Sequence, residues 1–132
     1  MDHTEQGLID AATEVRSLAH APYSSFQVGA AVESDDGTIY TGCNVESATY
    51  GLTMCAERVA IWKAVSEGKK KFGRIAVVAD TEELTPPCGA CRQVIWEFCG
   101  DVPVILSNLK GKTETIQMSE LLPRAFDSNF LK

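Results

Sequence analysis

Apolar residues recur every three or four positions in several stretches of the chain, which is the spacing of helices that place one face against a core. The first stretch contains Leu8, Ile9 and Ala12, and Pro22 follows it as a residue that cannot continue a helix. Gly68 stands where it can end the second stretch. The pattern predicts four helices, over residues 4–19, 55–67, 89–98 and 119–122.

Shorter apolar runs between these helices predict strands. Residues 75–79 form a continuous apolar run, which is typical of a strand covered on both faces. Asp36 and Gly37 separate two further runs and favour a tight hairpin turn. Because helices and strands alternate after the hairpin, we expect one α/β domain over residues 1–132, with parallel neighbours in its sheet. The predicted strands cover residues 27–33, 38–44, 75–79, 102–107 and 114–117.

The composition, with 45% hydrophobic and 23% charged residues, is that of a globular domain with its own core. A formal net charge of −6 disfavours a nucleic-acid partner, since such partners are bound through clustered Lys and Arg. The basic run at residues 69–71 is interpreted as a solvated helix end. No apolar run reaches the roughly 20 residues of a membrane span, and the first residues do not form a basic and then apolar export signal. We therefore expect a cytoplasmic protein that does not bind membranes.

The five cysteines are an odd number, which in a reducing compartment favours metal binding or packing over disulfides. Cys43 and Cys99 stand apart from other candidate ligands, and we interpret both as small buried hydrophobic residues. Cys55, Cys88 and Cys91 lie at the predicted starts of two helices. A helix start favours the thiolate, which is the form that binds metal.

Residues 55–58, Cys-Ala-Glu-Arg, and residues 87–91, Pro-Cys-Gly-Ala-Cys, together supply three thiolates to one metal ion. A structural zinc site usually has four protein ligands, whereas a catalytic site has three and leaves the fourth position to water. We therefore predict one catalytic Zn²⁺ per subunit, bound by Cys55, Cys88 and Cys91. Zinc lowers the pKa of its water toward about 7, which makes a nucleophile available at neutral pH.

Glu57 lies two residues after the first cysteine, where it can stand beside the metal without binding it. We predict that it carries protons between water and substrate, the alternative being an exposed helix glutamate. Three thiolates on one zinc ion leave a net negative charge. We predict that Arg58 and Arg92 offset this charge by hydrogen-bonding the sulfurs, the alternative being exposed helix arginines.

The two cysteine segments resemble the zinc-dependent cytidine deaminases. Residues 26–31 (FQVGAA), 42–46 (GCNVE) and 120–123 (ELLP) also resemble the short homotetrameric branch of this family, which acts on free nucleosides. The resemblance covers nearly the whole chain. It implies a three-layer α-β-α sandwich around a five-stranded mixed sheet. It also implies hydrolysis of cytidine or 2'-deoxycytidine to uridine or 2'-deoxyuridine and ammonia, as part of pyrimidine salvage.

Matched motif positions imply how this chain would bind a nucleoside. Asn44 and Glu46 would bind the ribose 3'-hydroxyl, Phe26 would pack on the pyrimidine, and the backbone N–H of Ala56 would hold the base carbonyl. These side chains suit the task, since an amide and a carboxylate can bind an uncharged sugar and an aromatic face can bind a flat base. Simple core packing of Phe26, and a role of Asn44 and Glu46 in closing the hairpin, stay open as alternatives.

The same resemblance implies a homotetramer whose sites are shared between subunits. Tyr50 and Phe126 match positions that reach a neighbouring subunit's site. The tail after Pro123 also carries Phe130 and Leu131, apolar residues without a helical or strand period that would bury them within one subunit. Aromatic residues in a frayed tail are the alternative.

Two positions depart from the broader superfamily. Cys55 stands where nucleic-acid deaminases typically have His, which favours the free-nucleoside branch. Pro86 stands where family members usually have Ser or Thr. Proline keeps the backbone carbonyl at that position and removes only the N–H, so a contact between the carbonyl and the leaving amine stays possible.

Two other functions stay open at this point. One is a noncatalytic zinc-folded module in which Glu57 is incidental. The other is a deaminase for a different substrate, either a nucleoside-like antibiotic such as blasticidin S or a base in RNA. The lack of a basic surface weighs against RNA, and the set of Phe26, Asn44 and Glu46 weighs against the antibiotic.

Overall fold

The structure, a computed structural model, describes residues 4–131 as one mixed sheet with helices on both faces. The helices are α1 Glu5–Arg16, α2 Ala56–Ser66, α3 Gly89–Cys99 and the short α4 Met118–Leu121. The strands are β1 Val28–Ser34, β2 Ile39–Cys43, β3 Phe72–Ala79, β4 Pro103–Ser107 and β5 Thr113–Gln117. Two 3₁₀ turns, Tyr50–Leu52 and Ser128–Leu131, complete the described elements.

The five strands lie in the order β2-β1-β3-β4-β5. Only β3 and β4 run parallel, and the other three neighbouring pairs are antiparallel. Helix α3 connects the two parallel strands, as expected for strands that a hairpin cannot join. The predicted mixed α/β sheet is confirmed, since one hairpin opens it and one β-α-β unit follows.

Alternate residues of the central strands face the two helical layers. Helix α1 packs on one face through Leu8, Ile9 and Ala12, which form a buried cluster with residues that include Ala76 and Val78 of β3. Helices α2 and α3 cover the other face. The larger buried cluster on that side includes Ala30, Val32, Ala60, Ile61, Ile75, Val77, Ile95, Val104 and Leu106. This two-faced burial is the predicted three-layer α-β-α sandwich, and it explains why the central strands contain few polar residues.

Two glycines allow the helices to approach the sheet closely. A Cβ at Gly29 would lie 1.9 Å from the carbonyl oxygen of Ala12 in α1. A Cβ at Gly42 would lie 2.4 Å from the backbone nitrogen of Ala60 in α2. Both positions therefore require glycine for space, and Gly42 sets the distance between the sheet and the helix that carries Glu57.

Several boundaries differ from the predicted ones. Helix α1 ends at Arg16, so Leu18 lies outside the helix and is 74% exposed. Strand β3 begins at Phe72, three residues before the apolar run that predicted it. The lysines at residues 69–71 follow α2 instead of ending it, and Lys69 forms an ion pair with Asp36 at 2.6 Å. In the part of the chain that the structure describes, no helix has both the length and the apolar character needed to cross a membrane.

Candidate active site

The starts of helices α2 and α3 bring three cysteines together. Cys55 is the N-cap of α2, Cys88 is the N-cap of α3, and Cys91 lies in the first turn of α3. Their Sγ atoms all lie within 4.8 Å of one another. Helices α2 and α3 also pack on the same face of the sheet. Two separate segments of the chain therefore direct their helix starts, and the partial positive charge of those starts, toward one point.

The arrangement of the sulfurs fits zinc. The Sγ atoms of Cys55 and Cys88 are 3.9 Å apart. Ligands at about 2.3 Å from a tetrahedral zinc ion lie roughly 3.8 Å from each other. Cys91 is buried and Cys88 is exposed, so the cluster has a protein side and an open side. The residues present thus suit a zinc ion with three thiolate ligands and one open position.

Hydrogen bonds make the Cys55 thiolate easy to form and the Cys91 thiolate difficult to form. A hydrogen bond from the Cys91 thiol, supported by Arg58, lowers the pKa of Cys55 to about 5. The same hydrogen bond to Cys55, together with burial, raises the pKa of Cys91 above its ordinary value. The backbone N–H of Cys91 donates to the Sγ of Cys88 at 3.4 Å. Cys55 and Cys91 therefore resist being thiolates at the same time, and a cation between them would stabilise that state.

Arg58 is the cation that contacts the sulfurs. Its Nη2 donates a hydrogen bond to the Sγ of Cys55 at 3.4 Å. Its Nε is buried and, among the residues that the structure describes, has no hydrogen-bond partner. The positive charge of Arg58 is therefore held at the cysteine cluster although one of its donors is left unsatisfied there.

Arg92 makes different contacts from those predicted. Its Nε donates to the carbonyl oxygen of Pro87 at 2.8 Å, and its Nη1 donates to the carbonyl oxygen of Leu121 at 2.9 Å. These hydrogen bonds connect the segment just before Cys88 with the end of α4. The guanidinium of Arg92 thus fixes the loop that carries a cysteine, and these bonds reach carbonyl oxygens instead of sulfur.

Glu57 is buried beside the cluster, with 4% of its surface exposed. Burial is the main cause that raises the pKa of its carboxyl to about 7, and the charge of Cys55 acts in the same direction. Its own backbone N–H and the charge of Arg58 act in the opposite direction. A buried carboxyl next to this cysteine cluster can exchange protons near neutral pH.

A cleft of about 310 Å³ leads to Glu57 and the cysteines. Among the site residues predicted from sequence, Phe26, Asn44, Glu46, Cys55, Ala56, Glu57 and Cys88 line it, and Pro86 lines it too. Phe26 is 41% exposed, so its ring lies at the surface of the cleft and not inside the core. Ala56 is the first residue of α2, and the first N–H groups of a helix have no partner within the helix.

Asn44 is buried and bridges the start of β1. Its Oδ1 accepts a hydrogen bond from the Val28 N–H at 2.9 Å, and its Nδ2 donates to the Phe26 carbonyl at 2.7 Å. A side-chain amide has a second lone pair on oxygen and a second hydrogen on nitrogen. Asn44 therefore holds the segment that carries Phe26 and keeps further hydrogen-bonding capacity.

Glu46 is held by a loop that the sequence did not identify as part of the site. Its Oε1 accepts hydrogen bonds from the backbone N–H groups of Tyr23, at 3.0 Å, and Ser24, at 3.1 Å. Its Oε2 accepts one from the Ser24 hydroxyl. These bonds, above all the one from the Ser24 hydroxyl, lower the pKa of Glu46. Ser24 lies in a polar loop without periodicity, and its place two residues before Phe26 is the one sequence feature that connects it with the site.

Tyr50 and Phe126 lie outside this cleft. Tyr50 is 77% exposed and lines a neighbouring cavity of about 330 Å³ with Tyr23, Ser24, Glu46 and Thr53. Phe126 is 56% exposed and stacks on Phe130 at a ring distance of 5.7 Å. Within one subunit, neither residue is brought to the cysteine cluster.

Cys43 and Cys99 are partly buried, not fully buried as predicted. Cys99 packs against the core on the α2 and α3 face, and burial raises the pKa of its thiol to about 12. Cys43 ends strand β2. Neither residue belongs to the cysteine cluster, which agrees with their interpretation as packing residues.

Comparison with known proteins adds a family match. Residues 2–107 match the model of the cytidine and deoxycytidylate deaminase zinc-binding region. A cytidine deaminase of Sporosarcina psychrophila is 54% identical over 125 residues, which is 94% of this chain and 92% of that protein. The 1.6 Å crystal structure of cytidine deaminase from Burkholderia pseudomallei superimposes with a TM-score of 0.91 at 46% identity, covering 93% of this chain and 99% of that one.

A more distant relative has a different substrate in its name. The blasticidin-S deaminase of Bacillus cereus is 30% identical over 130 residues, which is 92% of this chain and 91% of that protein. The chain is thus much less similar to the blasticidin-S deaminase than to the Sporosarcina cytidine deaminase.

Proposed function

The chain belongs to the cytidine and deoxycytidylate deaminase family and catalyses the deamination of cytidine, and we propose that Glu57 is the residue that carries protons in this reaction. The observation that supports this role most strongly is geometric. Glu57 is buried, lines the cleft, and follows two residues after Cys55, one of three cysteines whose sulfurs lie within 4.8 Å of one another.

The reaction replaces the amino group of the pyrimidine with oxygen. A C–O bond to water forms, the C–N bond breaks, and ammonia leaves. A zinc ion bound by Cys55, Cys88 and Cys91 would supply a Lewis acid that activates water at neutral pH. The Glu57 carboxylate accepts one proton from the attacking water and gives it to the ring nitrogen of the base. It then transfers a second proton, from the newly added hydroxyl, to the departing amino nitrogen. The burial of Glu57 excludes bulk water, which would otherwise compete for this proton.

The cleft binds the nucleoside through residues on three sides. The exposed ring of Phe26 packs against the pyrimidine, and the N–H of Ala56, which has no partner within α2, donates to the base carbonyl. The remaining hydrogen-bonding capacity of Asn44 and Glu46 binds the ribose 3'-hydroxyl. Because none of these contacts requires a 2'-hydroxyl, 2'-deoxycytidine is a substrate too.

The charge of the cleft favours a nucleoside over a nucleotide. Glu46 accepts three hydrogen bonds that lower its pKa and keep it ionised. Among the described residues that line the cleft, none is Arg or Lys that would bind a phosphate. A phosphate brought toward this carboxylate would be repelled, so CMP is a poor substrate.

We also propose that the active unit is a homotetramer with shared sites. Tyr50, Phe126, Phe130 and Leu131 are exposed in the single subunit, with exposures of 56–77%. Exposed apolar patches of this kind commonly mark interfaces. A separate proposal concerns the negative charge of the three thiolates. We propose that Arg58 offsets this charge and that Arg92 does so more weakly.

The proposed setting is pyrimidine salvage in the cytoplasm. The five cysteines form no disulfide, as is usual in a reducing compartment, which supports the cytoplasm. The product of the reaction is a nucleoside that can be reused, which supports salvage.

One assay tests the substrate assignment. The purified protein is followed by ultraviolet absorbance with cytidine, 2'-deoxycytidine, CMP, free cytosine and blasticidin S. We expect turnover of the first two and little or none of the others. Faster turnover of blasticidin S would favour the antibiotic alternative, and zinc binding without any release of ammonia would favour the noncatalytic module.

A further inference from the structure

A single hydroxyl group connects two residues that line the nucleoside cleft. The Ser24 Oγ donates a hydrogen bond to Oε2 of Glu46 and accepts one from the backbone N–H of Phe26 at 3.0 Å. Glu46 is the proposed sugar-binding residue, and Phe26 is the proposed base-binding residue. Ser24 itself lines the cleft, so all three residues border the same space.

The surrounding loop is folded around the Glu46 carboxylate. The backbone N–H groups of Tyr23 and Ser24 both donate to Oε1. Among the residues that the structure describes, the Ser24 hydroxyl is the hydrogen-bond partner of Oε2. Ser25, the next residue, has a φ of 59°, in the left-handed region that costs energy for residues other than glycine. This left-handed turn at Ser25 lies directly after Ser24, whose hydroxyl contacts both Glu46 and Phe26.

The cavity beside the cleft makes the hydroxyl contact important. Glu46 lines both the nucleoside cleft and the neighbouring cavity that contains Tyr23 and Tyr50. A carboxylate bordered by two open spaces has more than one direction in which to turn. The contact of Ser24 with Oε2 holds the second oxygen as well, so that both oxygens of the carboxylate have a fixed partner and the side chain keeps one orientation.

We infer that Ser24 is a positioning residue for nucleoside binding, which fixes the Glu46 carboxylate and the Phe26 backbone relative to each other. The inference rests on the proposed roles of Glu46 and Phe26 in the cytidine reaction. Ser24 does not touch the reacting atoms in this assignment. Its removal therefore weakens substrate binding and leaves the chemical step nearly unchanged.

The first test compares three variants by steady-state kinetics with cytidine. Ser24→Ala should raise KM roughly 5- to 30-fold, the range expected for one hydrogen bond to a charged group at a partly exposed site, with kcat within about threefold. Ser24→Thr keeps a hydroxyl and should restore most of the lost KM. Ser66→Ala, the matched control, removes the hydroxyl of an exposed serine at the end of α2 that donates to the Lys63 carbonyl, and KM should stay unchanged. Zinc content and melting temperature verify that each variant is folded.

A second test asks whether Ser24 acts through Glu46. With 2',3'-dideoxycytidine, which lacks the 3'-hydroxyl, Ser24→Ala should have less than about a third of its effect on KM. In a double-mutant cycle, the effects of Ser24→Ala and Glu46→Gln should be clearly less than additive. An unchanged KM in Ser24→Ala, an equal loss with the dideoxynucleoside, or additive effects would each overturn the inference. A wild-type protein that does not deaminate cytidine would instead overturn the proposed function.

Discussion

Arg58 lies three residues after Cys55, and its Nη2 donates a hydrogen bond to the Cys55 sulfur at 3.4 Å. Residues three or four positions apart share one face of a helix, so a side chain at residue 58 can reach back to the N-cap. Arg92 likewise lies four residues after Cys88, the N-cap of α3, but its guanidinium donates to the carbonyl oxygens of Pro87 and Leu121. The partners that surround each arginine, and not its spacing from a cysteine, therefore decide which one contacts sulfur.

Replacing Arg58 should weaken metal binding. We expect Arg58→Ala to lower zinc affinity by about 10- to 100-fold, because the positive charge and the hydrogen bond to Cys55 are lost. Competition with a chelating dye measures the affinity. Arg74→Ala, which removes an arginine that pairs with Glu33 on the sheet, is the control and should keep wild-type affinity. Equal affinities in both variants would exclude Arg58 from charge compensation.

Replacing Glu57 should stop turnover without loss of metal. Glu57→Gln keeps the size and hydrogen-bonding groups of the side chain but cannot carry a proton. We expect kcat to fall by roughly 100-fold to 10,000-fold, with one zinc per subunit retained by elemental analysis. Near-normal turnover in this variant would contradict the role of Glu57 as proton carrier.

Replacing a cysteine of the cluster should remove the metal. We expect Cys88→Ala to weaken zinc binding by more than about 100-fold, which is a larger loss than that caused by replacing a residue that only supports a ligand. We also expect the melting temperature to fall, because metal binding contributes to folding stability. Cys43→Ala is the matched control, because Cys43 lies outside the cluster. Zinc content separates the two variants, and full occupancy in Cys88→Ala would show that this residue is not a ligand.

Replacing Gly42 should disturb the helix that carries Glu57. The added Cβ of Gly42→Ala would meet the backbone of α2, at 2.4 Å from Ala60 N and 2.6 Å from Ala56 O. We expect a loss of about 1–3 kcal/mol in the free energy of unfolding, measured by chemical denaturation, together with reduced activity. Gly73→Ala has nothing within 4 Å of its added Cβ and is the control. Equal stability of the two variants would contradict the close packing of α2 on β2.

Replacing Phe126 tests the shared site. If this exposed aromatic residue completes a neighbouring subunit's site, Phe126→Ala should raise the KM for cytidine roughly tenfold while zinc content stays constant. Leu18→Ala, a similarly exposed apolar residue outside the tail, should leave KM unchanged. Light scattering on the same samples gives the subunit count, and a fully active monomer would reject the tetramer.

The cysteine cluster and the α/β class of the sheet were predictable because both depend on spacing along the chain, whereas the three-layer arrangement followed from the family resemblance. The i, i+3 separation of Cys88 and Cys91, and the position of Cys55 at a helix start, are visible in the sequence. The bonds of Ser24 were not, since its partner Glu46 is 22 residues away and a lone loop hydroxyl has no pattern. The partners of Arg92 were likewise hidden, because they are carbonyl oxygens and every residue has one.

Boundaries were less predictable because tertiary contacts decide them. Periodicity extended the first helix to residue 19, yet α1 ends at Arg16, whose Nε donates to the Gln27 carbonyl at 3.0 Å. Strand β3 gains residues before its apolar run since Arg74 pairs in register with Glu33 of β1. These backbone and side-chain partners lie far away in sequence, and hydrophobic periodicity does not detect them.

The distance along the chain between the cysteines has a consequence for conformational entropy. Cys55 and Cys88 are 33 residues apart, and the segment between them contains α2 and the central strand β3. An ion that joins their sulfurs closes this segment into a loop, and such a cross-link removes freedom from the unfolded chain. Strand β3 pairs with β1 on one side and with β4 on the other. Loss of the ion would therefore lower the stability of the whole sheet, hairpin included, and not of the looped segment alone.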